Sequence, residues 1–174
     1  IGKDPDPNLF RQVRKGILKV GVFVDEEEHT VLEIAGRYAL DLVQLHGSES
    51  PQYCQRVRSH GTMVIKAFGM DDDFNFNQLK PYVDSCDYFL FDTKSILHGG
   101  SGMKFNWNLI ANYQLQVPFF LSGGLGPQDI PAINAFKHPA LHALDINSRF
   151  ETEPGIKNME QIRKFIKDIK GFNQ

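Results

Sequence analysis

Four apolar runs end in residues able to do chemistry. Residues 42–45 lead into His46-Gly47, residues 88–91 into Asp92-Thr93-Lys94, and residues 119–121 into Ser122-Gly123-Gly124. Residues 141–144 lead into Asp145 and then Asn147-Ser148-Arg149. Gly123-Gly124 stands between an apolar run and a helix opening near Pro127. Glycines let backbone N–H groups approach an anion, and a helix start adds a favourable dipole. A plain tight turn uses the same residues. Asn147, Ser148 and Arg149 supply donors in the next such loop, and the two loops together point to phosphate. Asp92 follows Phe89, Leu90 and Phe91. A carboxyl beside apolar surface can hold its proton and donate it; the alternative is a solvated Asp92 paired with Lys94. Gln44 and His46 alternate onto one side of their run, facing either a substrate or a hydrogen-bonding partner in the interior. Gly99-Gly100-Ser101-Gly102 lies in a loop of about fourteen residues, a length that is uncommon without a role. It reads as a lid or as a flexible connector.

Other polar residues carry less. Lys66 lies inside an apolar run and must snorkel or pair; structural pairing is favoured over phosphate contact. The acidic runs 25–28 and 71–73 read as solvated helix starts, where acids suit the dipole. The six histidines show no metal-ligand spacing, and no metal is assigned. Cys54 and Cys86 form neither a disulfide framework nor a metal motif, so a reducing cytoplasm is the simplest compartment. Nineteen basic against 21 acidic residues argue against nucleic acid as the main partner. No apolar run approaches the roughly 20 residues needed to span a bilayer.

Positioning such residues requires a regular frame. Runs rich in Val, Ile, Leu and Phe at 18–24, 42–45, 63–68, 88–91, 119–121 and 141–146 read as buried parallel strands, which are continuously apolar. Helices are expected at 7–14, 26–38, 51–60, 75–83, 107–113, 127–136 and 158–169. Ser50 before Pro51 and Asn158 before the last helix are suited to capping. In that last helix, Ile162, Phe165, Ile166 and Ile169 form an apolar stripe. The result is six strand–helix units behind a leading helix. Sites in parallel α/β folds form at the C-terminal ends of strands, where the residues above sit. Length alone favours an open doubly wound sheet, while the phosphate loops on the last two strands favour a (β/α)8 TIM barrel with about six of its eight units present.

The order of several motifs is more specific. Residues 21–25, Val43-Gln44-Leu45-His46-Gly47, Val64-Ile65-Lys66-Ala67-Phe68, Leu90-Phe91-Asp92, the Gly99–Gly102 loop with Phe105 and Trp107, Ser122-Gly123-Gly124-Leu125 and Asp145-Ile146-Asn147-Ser148 together resemble the phosphoribosylanthranilate isomerases. The resemblance covers most of the chain. It implies a single barrel domain over residues 1–174, N-terminally incomplete, in tryptophan biosynthesis. It implies the Amadori rearrangement of N-(5-phosphoribosyl)anthranilate to 1-(2-carboxyphenylamino)-1-deoxyribulose 5-phosphate, with no metal or organic cofactor and with a phosphorylated small molecule as the partner. Neither nucleic acid nor membrane is implied, and the state is a monomer or homodimer.

The family's general acid maps onto Asp92. Gln44, His46 and Asp145 are implied as substrate contacts. Gly102, Gly123, Gly124, Asn147, Ser148 and Arg149 are implied as phosphate contacts. Arg149 stands where the family commonly has Gly, which weakens a purely backbone contact there; its guanidinium either helps hold the phosphate or points to solvent. The family's base is a Cys in a Lys-x-Cys-Gly pattern, and a Ser-Pro-Arg pattern meets the anthranilate carboxylate; both are expected before Ile1, and Cys54 and Cys86 match neither. The chain alone is therefore expected to be inactive. Two alternatives share the phosphate loops. One is another barrel enzyme, such as the tryptophan synthase alpha subunit or indole-glycerol-phosphate synthase, although paired acids or a Lys pair are not evident. The other is a non-catalytic remnant that binds phosphate ligands.

Overall fold

The computed structural model describes residues 6–93 and 105–169. Two compact units are present: Ile1–Ala67 with Asn77–Phe89, and Phe68–Phe76 with Leu90–Gln174. The strands are β1 (Val20–Phe23), β2 (Leu42–Leu45), β3 (Met63–Met70), β4 (Tyr88–Thr93), β5 (Phe119–Leu121) and β6 (Leu141–Leu144). They join one sheet in chain order. Parallel pairing sets Val20 opposite Leu42, Leu42 opposite Met63, and Phe119 opposite Leu141. Parallel neighbours need a crossover, and the intervening segments supply it. The expected runs at 42–45 and 119–121 match their strands; 63–68 and 88–91 extend by two residues each, and the outer runs are shorter.

In the first unit, helices α1 (Pro7–Arg11), α2 (Glu28–Tyr38) and α3 (Pro51–Ser59) accompany β1–β3. All four β2 residues are buried, Gln44 among them. Ser50 caps α3 by accepting the Tyr53 N–H at 3.2 Å, and Pro51 occupies the first turn, where its missing N–H costs nothing. The expected helix at 75–83 is a 3-10 helix, Phe76–Tyr82. Pro81 lies inside it and can donate no backbone hydrogen bond, which disfavours the wider α-turn. On β1, Val20 and Val22 share an exposed face, and Val24 just beyond it is exposed too, while Phe23 turns inward.

The second unit packs β5 and β6 with α4 (Ile130–Ala135) and α5 (Met159–Asp168). Phe91, Tyr113 and Phe119 form an aromatic cluster with ring centroids 4.9–5.5 Å apart. Such edge and tilted contacts add about 0.5–1.5 kcal/mol per pair beyond the buried area. The segment expected as a helix at 107–113 is a 3-10 helix, Trp107–Asn112, and 127–136 opens as a 3-10 turn, Pro127–Asp129, before α4. Phe165 and Ile169 of the α5 stripe are buried with Leu125, Ile133 and Phe150. Ile166, expected on the same face, is 53% exposed; it lies at the stripe's margin, where the 100° step from Phe165 carries it toward solvent. Asn158 caps α5, accepting the Gln161 N–H at 3.0 Å. A short antiparallel hairpin, β7 (Glu151–Glu153) and β8 (Ile156–Lys157), was not foreseen. Its signal is the turn dipeptide Pro154-Gly155, with Gly155 at φ +81°.

Candidate active site

In the second unit, the ends of three strands are stepped by backbone hydrogen bonds. Ser122 N–H donates to Phe91 C=O at 2.9 Å, and Asp145 N–H donates to Leu121 C=O at 2.8 Å. Asp92, Ser122 and Asp145 therefore follow one another at the C-terminal ends of β4, β5 and β6. The Ser122 hydroxyl donates to an Asp145 carboxylate oxygen at 2.9 Å, which fixes both side chains. Asp92 is half-buried beyond the fully buried Phe89, Leu90 and Phe91, and its Oδ1 accepts the Thr93 N–H at 2.8 Å. Lys94, considered as its partner, lies outside the described residues.

Gly123 and Gly124 both take positive φ, +96° and +69°. A Cβ on Gly123 would fall on the Thr93 hydroxyl and 3.1 Å from the Thr93 nitrogen. The same Thr93 hydroxyl accepts the Phe105 N–H at 3.3 Å. The glycine turn is thus held against the end of β4 by backbone proximity that no other residue allows. In the helix start that follows, buried Asp129 accepts the Gly126 N–H at 2.7 Å and so caps the first turn.

Asn147 precedes the 3-10 turn Ser148–Phe150, with Ser148 and Arg149 exposed and Phe150 fully buried. Phe150 anchors the turn against Phe165, with ring centroids 4.8 Å apart. Lys157, not singled out from sequence, donates to Asn147 Oδ1 and to Glu151 Oε1, the latter at 2.6 Å. The Lys157 hydrogen bond and the Gly155 backbone N–H hold the Glu151 carboxyl below its usual value. Gly102 lies outside the described residues.

In the first unit, the alternation at the end of β2 is as expected: Gln44 Nε2 and His46 Nδ1 are 3.3 Å apart. The His46 N–H donates to Phe23 C=O at 2.8 Å. Lys66 pairs with Glu49 at 3.2 Å, with side chains only 3% and 2% exposed. Its ammonium also donates to the carbonyls of Leu45, Gly47 and Ala67. Glu49 Oε1 accepts the Asp25 N–H at 2.9 Å, and Oε2 accepts the Gly47 N–H at 3.0 Å. Structural pairing, favoured for Lys66, is what the chain adopts. Glu49 was missed because nothing in Ser48-Glu49-Ser50 distinguishes it from a surface acid. Asp25 is exposed, as expected, but does not start a helix. It sits at φ +50° and accepts the Ser48 hydroxyl at 2.6 Å, so α2 begins later, at Glu28. Gly47 approaches so closely that a Cβ would lie 2.6 Å from the Asp25 nitrogen. Cys54 and Cys86 are buried in α3 and before β4, away from strand C-terminal ends. A hydrogen bond between the two thiols lowers the Cys54 value and raises that of Cys86.

Among the described residues, no group of three or more His, Cys, Asp or Glu could hold a metal ion, and no helix is long and apolar enough to cross a membrane. Residues 7–168 match the family model described as N-(5'phosphoribosyl)anthranilate (PRA) isomerase. The chain is 42% identical over 151 residues to the N-(5'-phosphoribosyl)anthranilate isomerase of Parabacteroides distasonis, covering 87% of this chain and 68% of that protein. It is 40% identical over 152 residues to the isomerase of Phocaeicola vulgatus, covering 87% and 74%. The crystal structure of phosphoribosyl anthranilate isomerase from Thermotoga maritima superposes with a TM-score of 0.82 at 33% identity, over 95% of this chain and 79% of that one. A structure of the isomerase in complex with reduced 1-(o-carboxyphenylamino)-1-deoxyribulose 5-phosphate superposes with a TM-score of 0.79 at 30% identity, covering 95% and 78%. The fold is thus of the (β/α)8-barrel type, six of whose strands the described residues supply in sequence order. On sequence and on fold alike, the chain belongs to the N-(5'-phosphoribosyl)anthranilate isomerase family.

Proposed function

We propose that this chain carries the acid half and the phosphate-binding half of an Amadori isomerisation, the conversion of N-(5-phosphoribosyl)anthranilate to 1-(2-carboxyphenylamino)-1-deoxyribulose 5-phosphate. The observation that carries the reading is the stepped end of β4, β5 and β6. There a carboxyl, a Ser122–Asp145 pair and a two-glycine turn follow one another on neighbouring strands.

Asp92 donates its proton to the ribose ring oxygen as the C1–O bond breaks. The amine lone pair closes onto C1, giving the open-chain Schiff base with its hydroxyl. A base removes the C2 proton, and those electrons form the C1–C2 double bond of an enolamine while the nitrogen regains its lone pair. Tautomerisation, with the C2 hydroxyl giving up its proton and C1 gaining one, yields the ketone. The base is not assigned to Cys54 or Cys86. Gly123, Gly124, Asn147, Ser148 and Arg149 are assigned to the phosphate, as is Gly102 from the sequence pattern. Asp145 is assigned to the substrate through its fixed carboxylate, and Gln44 and His46 are assigned to it from the end of β2. The steps use neither a metal nor an organic cofactor. The compartment proposed is the cytoplasm, and the state a monomer or homodimer; one solved relative is described as a dimeric isomerase converted to monomers.

The test is turnover of freshly generated phosphoribosylanthranilate by the complete product of the encoding gene, followed by loss of substrate fluorescence. Turnover is expected, with kcat/KM reduced about a hundredfold or more in Asp92→Asn. A folded parent without turnover would favour another phosphate-binding barrel enzyme or a binding role.

A further inference from the structure

Among the described residues beside the strand-end site, Lys157 is a charged group that the proposed chemistry does not use. Lys157 is brought to the 147–149 loop by the β7–β8 hairpin, where it stands directly opposite Glu151 in the register. The hairpin is fixed at both ends. Phe150 is buried before it, the Asn158 N–H donates to Phe150 C=O at 2.7 Å after it, and Asn158 caps α5. Lys157 therefore arrives at Asn147 on a short, anchored lever rather than as a free surface chain.

A lysine ammonium has three donors and no acceptor, whereas an asparagine amide has one acceptor oxygen and one NH2 bearing two donors. The Asn147 atom facing Lys157 is accordingly the oxygen, and the contact is made there. The NH2 is then the end that Asn147 has left to offer. A phosphate oxygen accepts hydrogen bonds, so that orientation is productive and the flipped amide is repulsive. Glu151 holds the ammonium in place and offsets its charge, so Lys157 is not a bare counter-charge for an anion.

We propose that Lys157 is a positioning residue for the phosphate end of the substrate, acting by fixing the Asn147 amide with its NH2 toward the phosphate. The proposal rests on the assignment of Asn147 to phosphate. It predicts that Lys157 contributes to substrate affinity and not to the chemical step. It also predicts that its effect exists only while Asn147 is present.

The experiment is a double-mutant cycle in the complete gene product, with Lys157→Met, Asn147→Ala, the pair, and Lys157→Arg. KM and kcat are measured for the phosphorylated substrate, together with competitive inhibition by inorganic phosphate. Lys157→Met is expected to raise KM and the phosphate inhibition constant about tenfold, the scale of one charge-assisted hydrogen bond, with kcat within about twofold. Asn147→Ala should do the same, the pair should be no worse than either single variant, and Lys157→Arg should restore most of the affinity. If Asn147→Ala leaves KM and phosphate inhibition unchanged, the phosphate assignment itself fails. If Asn147→Ala weakens both but Lys157→Met does not, or if the two effects multiply, the positioning role alone is overturned. A fall in kcat and melting temperature with KM unchanged would make Lys157 merely structural, and would also overturn it.

Discussion

At the strand ends of the first unit, Lys66 and Glu49 are almost fully enclosed and satisfy each other, three carbonyls and two backbone N–H groups. At the strand ends of the second, Asp92 and Asp145 are half-buried and Ser148 and Arg149 are exposed. The first arrangement spends its charges on the backbone of its own loops. The second keeps donors and acceptors where a ligand could meet them. Burial decides between these uses, because an enclosed charge must be paired within the protein, whereas one at a rim can exchange water for substrate. A polar residue at a strand end is thus a shape-former or a chemical group according to how much of it stays wet.

The contrast can be broken most severely at Asp92. Asp92→Asn should lower kcat/KM by about 10²–10⁴-fold, the range for a positioned acid, with little change in urea midpoint. A fall in stability of equal size would instead place Asp92 with the shape-formers. The mirror experiment is Lys66→Met, which leaves Glu49 enclosed and unpaired. It should destabilise by about 3–5 kcal/mol in denaturant titration, and Lys66→Met with Glu49→Leu should recover much of the loss. A smaller effect is expected at the glycine turn. Gly123→Ala forces a side chain to φ +96° and onto Thr93, so it should cost about 1–3 kcal/mol and raise KM. An unchanged KM would detach the turn from the ligand.

The smallest effects concern pH. Asp41 is held below its usual value first by the Lys19 backbone N–H, 2.7 Å away, with the Lys19 ammonium adding and burial opposing. Glu151 is lowered by Lys157. Because both folded values are depressed, both contributions are complete above the ordinary carboxylate range and are lost as pH falls through the lower folded values. Carboxyl titration followed by NMR should show both midpoints below those of the unfolded chain; an ordinary Glu151 midpoint would mean that the ion pair is not held in solution.

The sequence made the parallel strands legible because continuous apolar runs have few other uses. It also made the placing of Asp92, Gln44 and His46 at strand ends legible, since polar residues that end such runs stand out. The 3-10 segments were less legible: local spacing at 75–83 and 107–113 suits either helix, and the choice is made by Pro81 and by packing. Glu49 and Lys157 were invisible because their importance comes from partners 17 and 10 residues away, Lys66 and Asn147, and not from their neighbours in the chain. Ile166 shows the opposite error, a residue of the right type and spacing that packing leaves outside.

The Glu49–Lys66 arrangement also restricts how this sequence can change over generations. Losing either charge alone strands the other in the interior, while losing both together is tolerable. The path between the two acceptable states crosses a destabilised intermediate, so the pair should be inherited or abandoned as one character. Gly47 belongs to the same character, since any side chain there would strike the Asp25 backbone and pull its N–H from Glu49. Drift in this region is therefore governed by the order in which substitutions arrive, and the apparently ordinary acid at position 49 is among the residues least free to vary.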